Sequence, residues 1–217
     1  MINRYYFLLL ACALPLLSFA NAQDLAWNAQ LIEFAKKGDA QRAQRALDAG
    51  AHPNSRNRKS ETALFLFAKA GNLDMVKALV QRGADANLAA LDKVTPLMAA
   101  VYENKHEVVA YLLANGADAR AADQLQRTAM VYAVTGPCTS CVSLLLGAGV
   151  DVNAAYHHQL TALMWAAGSG STEAVKLLLS RGADAGLKDD RGKTALDIAR
   201  EAGKKDVEEA LLSKGQG

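Results

Sequence analysis

The stretch Thr161-Ala-Leu-Met-Trp-Ala-Ala-Gly-Ser-Gly-Ser-Thr-Glu-Ala-Val-Lys-Leu-Leu-Leu-Ser-Arg-Gly182-Ala-Asp decides the architecture, because its landmarks return along the chain at one interval. Thr62, Thr95, Thr128, Thr161 and Thr194 fall 33 residues apart, and Gly50, Gly83, Gly116, Gly149, Gly182 and Gly215 keep that spacing without insertion or deletion. A fixed period of this length marks stacked structural repeats, in which each unit leaves its apolar faces for its neighbours to cover. Within one period the local signals are those of two short helices. A Thr hydroxyl can accept from an open N–H of the first helix, and Pro96 stands where its missing N–H costs nothing. Apolar residues then recur at helical spacing, Leu97, Ala100 and Val101 on the first helix and Val108, Val109, Leu112 and Leu113 on the second. Gly116 ends the second helix, and Asp118 with the next nine residues is expected to form an extended hairpin leading to the following Thr. The expected fold is an all-α solenoid of stacked helix-turn-helix units joined by β-hairpin loops.

The register divides the chain into an N-terminal cap at 23–54, internal repeats at 55–87, 88–120, 121–153 and 154–186, and a C-terminal cap at 187–217. The first of these lacks the Thr start, but Leu31 to Asp39 is in register with Ala29 where the next unit has Thr62. The last carries Asp197, Arg200, Glu201, Lys204, Lys205, Glu208 and Glu209, a charge density that suits a solvated end. Hydrophobic residues make up 51% of the chain but aromatic ones only 6%, so the apolar material is mostly Ala and Leu and favours thin, closely stacked helices. The 24 basic and 22 acidic residues are interspersed, which points to neither nucleic acid nor an anionic membrane as a partner.

Thr95-Pro96-Leu97 with Ala99-Ala100, then Glu107-Val108-Val109, Leu112-Leu113 and Gly116-Ala117-Asp118, resembles an ankyrin repeat. The resemblance extends from about Ala29 to Gly215 and implies a protein-binding scaffold without a cofactor, working as a monomer. Two departures stand out. The Gly that the family places two residues before each Thr is Ser60, Lys93, Gln126 and Gln159 here, kept only as Gly192, so differently shaped hairpin turns are expected. The His of the family's Thr-Pro-Leu-His is replaced by Phe65, Met98, Val131, Met164 and Asp197, so apolar packing is expected to replace its hydrogen bonds.

Residues 1–22 follow another logic. Arg4, an apolar run from Tyr5 to Leu17 and the small residues of Ala20-Asn21-Ala22 read as a secretory signal peptide cleaved after Ala22. An uncleaved anchor fits less well, since the run contains Pro15 and is short for a hydrocarbon core of about 30 Å. Lipidation at Cys12 has too little apolar sequence before it. Cleavage removes Arg4 and no acid, lowering the net charge of +2 by one. The expected location is the bacterial periplasm, with secretion as the alternative and no stable membrane insertion once the leader is gone.

Export leaves Cys138 and Cys141. An even count in an oxidising compartment reads as a structural disulfide. Unpaired thiols and redox or metal chemistry remain open, although a thioredoxin-like role wants a βαβ context and zinc wants four ligands. Cys141 takes the slot of Val108 and Ala174 and needs no other reason to be apolar, whereas Cys138 falls in the turn between the helices without such a reason. His157 and His158 adjoin Tyr156, and on an extended hairpin their side chains would point to opposite sides, poorly placed to share a metal. No metal site and no catalytic set of side chains is read from the chain.

The resemblance implies recognition on a concave face made of hairpin tips and the exposed ends of first helices. Carried onto this chain, those slots include Arg56, Arg58, Lys59, Leu91, Val94, Tyr102, Leu125, Arg127, His157, His158 and Leu160, flanked by Glu61, Lys69, Asp92, Glu103, Gln124, Thr135, Ser169 and, in the last unit, Asp190, Arg191, Lys193 and Glu201. Leu91, Val94, Leu125 and Leu160 put aliphatic groups on hairpins where water favours polar ones, beside a basic end at Arg56, Arg58 and Lys59. Trp165 and Tyr132 are expected in the core. The function implied is a non-enzymatic periplasmic scaffold that binds and modulates a partner protein, as companion, inhibitor or protector of an envelope or stress-related enzyme. The alternatives are a redox-active envelope protein using Cys138 and Cys141, or a secreted effector directed at a host.

Overall fold

The computed structural model describes residues 24–213. The segment 1–22, read as a leader, and residues 214–217 of the last unit lie outside the described residues. A helix α1 through 24–37 opens the array. It is followed by α2 (Ala40–Asp48), α3 (Ala63–Ala70), α4 (Leu73–Gln81), α5 (Pro96–Tyr102), α6 (His106–Ala114), α7 (Ala129–Thr135), α8 (Thr139–Gly147), α9 (Ala162–Ser169), α10 (Thr172–Ser180), α11 (Ala195–Glu201) and α12 (Lys205–Ser213). Helices this short are marginal alone, so their stability has to come from stacking. The odd-numbered helices from α3 to α11 pack side by side as an inner layer, and the even-numbered helices from α2 to α12 form an outer layer behind them. The chain is an all-α solenoid.

The two layers differ in burial for a geometric reason. An inner helix is covered by both neighbours and by its own outer helix, so Pro96 to Val101 of α5 and Ala129 to Val134 of α7 are all buried. An outer helix keeps one face in water and buries only a stripe, Val108, Val109 and Leu112 in α6. The small residues at Ala63, Ala100, Ala133 and Ala166 are fully buried and let the inner helices approach closely. Phe65, Met98, Val131 and Met164 are buried too, so apolar packing does stand where the family has its His. Asp197 is used differently, accepting from the Thr194 N–H at 2.9 Å in a capping box.

The repeated Thr caps the inner helices as its sequence position requires. Thr62, Thr95, Thr161 and Thr194 accept through Oγ1 from the N–H three residues on, at 3.1–3.3 Å. Thr128 is the exception: its Oγ1 is buried without a hydrogen-bond partner among the described residues.

The turn between inner and outer helix usually passes through one left-handed residue. Gly71, Asn104, Gly170 and Gly203 have φ between +56° and +84°, and the next N–H returns to the helix, as from Asn72 to Phe67 O, Lys105 to Ala100 O and Ser171 to Ala166 O. The same slot in the third internal unit holds Pro137, whose ring cannot reach positive φ. There the preceding Gly136 is extended instead, with a Cβ-less approach to the Tyr132 carbonyl oxygen that an added Cβ would reach at 2.7 Å. The returning bond from Cys138 is missing among the described residues.

Candidate functional site

Loops running through 51–62, 84–95, 117–128, 150–161 and 183–194 stand out beside the inner layer. Each is closed by a hydrogen bond across its tip, Asn57 N–H to Glu61 O, Ala90 to Val94, Asp123 to Arg127, Tyr156 to Leu160 and Asp189 to Lys193, at 2.9–3.1 Å. Where β-structure occurs it is single bridges, Arg56 with Thr62, Ala122 with Thr128 and Ala155 with Thr161, rather than strands. The expected change of turn shape is not what is found. Ser60, Lys93, Gln126 and Gln159 all hold φ between +58° and +61°, close to the +77° of Gly192. The tip hydrogen bonds hold the left-handed residue in place even where it is not Gly.

The loops are joined by two ladders. At their bases, Asn54 donates to Gly83 O and accepts from Asp85 N–H, Asn87 does the same with Gly116 O and Asp118 N–H, and Asn153 accepts from Asp184 N–H. Near their tips, Leu91 N–H reaches Lys59 O, Gln124 N–H reaches Asp92 O and Asp190 N–H reaches His158 O. Both ladders break at one junction, between loops 117–128 and 150–161. The base slot there is Arg120, which cannot supply the paired carbonyl and amide of an Asn, and no tip bond links the two loops among the described residues. A cavity of about 240 Å³ lined by Asp118, Arg120, Gly149 and Val150 lies at the junction. Tyr156, on loop 150–161, is half-buried against the core. Its hydroxyl and Thr128 Oγ1 adjoin without hydrogen-bond geometry, and burial pushes the phenol up to about 12.

His157 to Gln159 form a short 3₁₀ turn in which His158 and Gln159 both take positive φ. The expectation that the side chains diverge is therefore incorrect: the ring centroids lie 3.9 Å apart with the planes tilted by 56°, and His158 Nδ1 lies 2.8 Å from Asp190 Oδ2. Among the described residues no three His, Cys, Asp or Glu side chains gather as a metal site would require.

The loops 51–62, 84–95 and 117–128 and the helices α3, α5 and α7 enclose a depression of about 500 Å³. It brings together Lys59, Leu91, Val94, Tyr102 and Arg127 of the residues expected on the concave face, with Lys69 on one wall and Phe65 and Met98 beneath. Leu91, Tyr102 and Leu125 are 62%, 60% and 68% exposed, whereas Val94 and Leu160 are half-buried against the core. Arg56, Arg58, His157 and His158 are exposed on the loops outside this depression. Leu160 lines a second one, about 340 Å³, with Met164, Trp165 and Ile198 around Gly168. The indole N–H of half-buried Trp165 is shielded from water and has no hydrogen-bond partner among the described residues.

One wall of the larger depression is fixed by a set that the sequence did not single out. Asp123 is buried, and its Oδ2 accepts from Arg127 Nε at 2.9 Å and from the Tyr132 hydroxyl at 2.7 Å. Its Oδ1 accepts from the Leu125 and Arg127 N–H groups. Burial raises the carboxyl, but the Arg127 N–H, the Tyr132 hydroxyl and the guanidinium outweigh it and hold Asp123 below the usual carboxylate range. Burial and the Asp123 hydrogen bond together push the Tyr132 phenol well above its ordinary value. Arg127 is thus engaged within the protein, its guanidinium 4.7 Å from the Tyr132 ring centroid, and Tyr102 meets that ring edge-on at 6.0 Å. Asp189 repeats the carboxylate part of this set with Arg191 and Lys193. Asn57 Oδ1 accepts from the Lys59 and Glu61 N–H groups in the same slot, but among the described residues only Asp123 also takes a tyrosine hydroxyl, and the repeat gives no sign of that contact.

Cys138 and Cys141 are both fully buried, their sulfurs within bonding distance and their Cα atoms 5.3 Å apart across the first turn of α8. Cys138 is therefore not a turn residue without a packing role. It lies in the core directly after Pro137, where the other units have the polar Asn72, Lys105, Ser171 and Lys204.

Short helix pairs in two layers, with stitched loops framing a partly apolar groove, define a repeat scaffold. The family model for ankyrin repeats (3 copies) matches residues 31–123, 83–156 and 130–217, and the chain belongs to the ankyrin repeat family. Ankyrin repeats generally mediate interactions between proteins, as scaffolds rather than enzymes. No curated protein is similar enough to match the chain. Among the described residues no helix is long and apolar enough to cross a membrane.

Proposed function

We propose that this is an exported, non-enzymatic periplasmic scaffold that binds and modulates a partner protein through the groove around Leu91 and Tyr102. The observation that carries the reading is the exposure of Leu91 and Tyr102 in one depression, with exposed Leu125 on loop 117–128 that also supplies Arg127 to it, while the other exposed large apolar residues among the described ones, Leu25 and Leu212, belong to the two ends. Water disfavours such a grouping, and a polar rim around an apolar centre is how a protein interface is built. The pattern of residues 1–22 supports export, and export supports oxidation of Cys138 and Cys141 to a structural disulfide. Their burial fits that role better than redox exchange, which needs a sulfur that a second thiol can reach. Affinity capture from envelope extracts with wild-type protein and with Leu91→Asp/Tyr102→Ala tests the reading. The variant should lose the partner that the wild type recovers; equal recovery would exclude the groove.

A further inference from the structure

Each junction between neighbouring units presents the same two backbone groups at the base of the loops, the carbonyl of the Gly after the outer helix and the N–H two residues on. At all junctions but one, an Asn side chain from the preceding unit meets them. The N–H groups of His52, Asp85, Asp118 and Asp184 donate to Oδ1 of Asn28, Asn54, Asn87 and Asn153 at 2.6–2.8 Å. Asn54 and Asn87 also donate to the Gly83 and Gly116 carbonyls. At the remaining junction Gly149 and Asp151 meet Arg120, and among the described residues neither the Gly149 carbonyl nor the Asp151 N–H has a hydrogen-bond partner. The backbone there is nevertheless shaped as in its siblings. Gly83, Gly116, Gly149 and Gly182 hold φ between +84° and +87°, and in each case the following N–H returns to the helix at 2.9–3.1 Å. Asp85, Asp118, Asp151 and Asp184 each accept through Oδ1 from the N–H two residues on. An amide receptor is therefore fully formed at Gly149 and Asp151, but the chain supplies no amide to it.

This site shares no lining residue with the groove around Leu91 and goes beyond it. Resting on the reading of the chain as a protein-binding scaffold, we propose that Gly149 O and the Asp151 N–H receive the primary carboxamide of an Asn or Gln side chain of a partner protein. The chemistry of the two groups selects that side chain. A primary carboxamide is planar and holds a donor and an acceptor on one side, which is how Asn54 and Asn87 serve the neighbouring junctions. A carboxylate cannot donate to Gly149 O, and an ammonium or guanidinium cannot accept from the Asp151 N–H. A trans peptide group carries its N–H and C=O on opposite sides. Charge does not override this preference, because Arg120 shares the cavity wall with Asp118. The fold also offers a place for the rest of the partner segment. The cavity of about 240 Å³ at this junction is bounded by Leu113 and Ala148, which also line a depression of about 260 Å³ over α6 and α8. No charged residue lines that depression; where α4 and α10 carry Lys77 and Lys176, α6 and α8 carry Ala110 and Ser143. An aliphatic residue beside the Asn or Gln covers Leu113 and Leu144, so the amide fixes the register and the apolar contact adds burial. The receptor is already in shape, which keeps the ordering cost of binding low.

Amide NMR of isotope-labelled protein, purified after expression of the full chain, tests this with four short peptides. Each is an acetylated tripeptide closed by an N-methylamide, with alanine first, leucine last and asparagine, glutamine, aspartate or alanine between them. The asparagine or the glutamine peptide should shift the Asp151 amide resonance saturably and bind at least three-fold more tightly than the aspartate and alanine peptides. Arg120→Asn, which brings the chain's own amide to the receptor, should weaken that binding at least five-fold while the protein stays folded. The exposed outer-helix change Lys77→Ala should leave it within two-fold. No saturable shift at Asp151 from either carboxamide peptide, equal or tighter binding of the aspartate or alanine peptide, or retained affinity in Arg120→Asn would overturn the proposal. If one of those occurs while Leu91→Asp/Tyr102→Ala still abolishes capture from envelope extracts, the amide site is wrong and the scaffold reading stands. If that variant captures as wild type does while the carboxamide peptides bind as expected, the groove is wrong and the amide site stands.

Discussion

The Tyr132 hydroxyl donates to Asp123 Oδ2 at 2.7 Å, tying an inner helix to the loop before it and fixing the wall of the groove. The bond carries a pH signature. Asp123 is held below its ordinary range in the folded protein, so its contribution is fully present above the unfolded aspartate pKa of about 3.9 and is lost as pH falls through the lowered folded value. Asp123→Asn should cost about 1–3 kcal/mol at neutral pH, the usual penalty for disrupting a buried charged hydrogen-bond set. Thermal unfolding should show the gap between wild type and Asp123→Asn narrowing as pH drops from 5 through 3. A gap that widened would contradict the assignment.

The period of 33 was enough to place the helices, because helix caps and apolar stripes recur in every unit and each has a local physical cause. What did not recur was not legible. Arg127 looked like a free recognition residue, since nothing in its own segment says that Asp123 and Tyr132 will share its guanidinium. Composition at Ser60, Lys93, Gln126 and Gln159 shows the expense of positive φ but not the tip hydrogen bonds that hold it, so the turn shape is not legible there. The Asn ladder could have been found from Asn54, Asn87 and Asn153 at the same interval, with Arg120 as its gap.

Repairing that gap should stabilise the protein. Arg120→Asn places an amide where Asn87 donates to Gly116 O and accepts from Asp118 N–H, so it should reach Gly149 O and the Asp151 N–H. The expected gain is about 0.5–2 kcal/mol in denaturant unfolding. Hydrogen exchange at the Asp151 amide should slow at the same time; unchanged exchange would show that the two loops stand too far apart.

The pair at Cys138 and Cys141 should matter modestly for stability. A loop of three residues' separation gives a chain-entropy contribution of about 2 kcal/mol. Calorimetry with reductant should lower the midpoint of the wild type and leave Cys138→Ala/Cys141→Ala unmoved by reductant. Equal insensitivity of both proteins would indicate that the wild-type thiols are free.

The aliphatic loop residues should separate into two groups. Leu91 and Leu125 are more than three-fifths exposed, so Leu91→Asp or Leu125→Asp should change stability by no more than about 0.5 kcal/mol. Leu160 packs against the core beside Met164 and Trp165, and Leu160→Asp should cost about 2 kcal/mol or more by burying an unpaired carboxylate. Chemical denaturation of the three single variants checks the ordering, and it shows that Leu160→Asp is unsuitable as a probe of binding alone.

The scaffold reading is tested most directly by crosslinking in the living cell with a photoreactive amino acid at Tyr102 or Leu125 on the groove side and at Lys77 or Lys176 on the outer helices. All four positions are exposed, so reactivity alone does not favour either side. A partner protein trapped from Tyr102 and Leu125 but not from Lys77 or Lys176 is the predicted result. Trapping only from the outer helices, or no dependence on position, would contradict it.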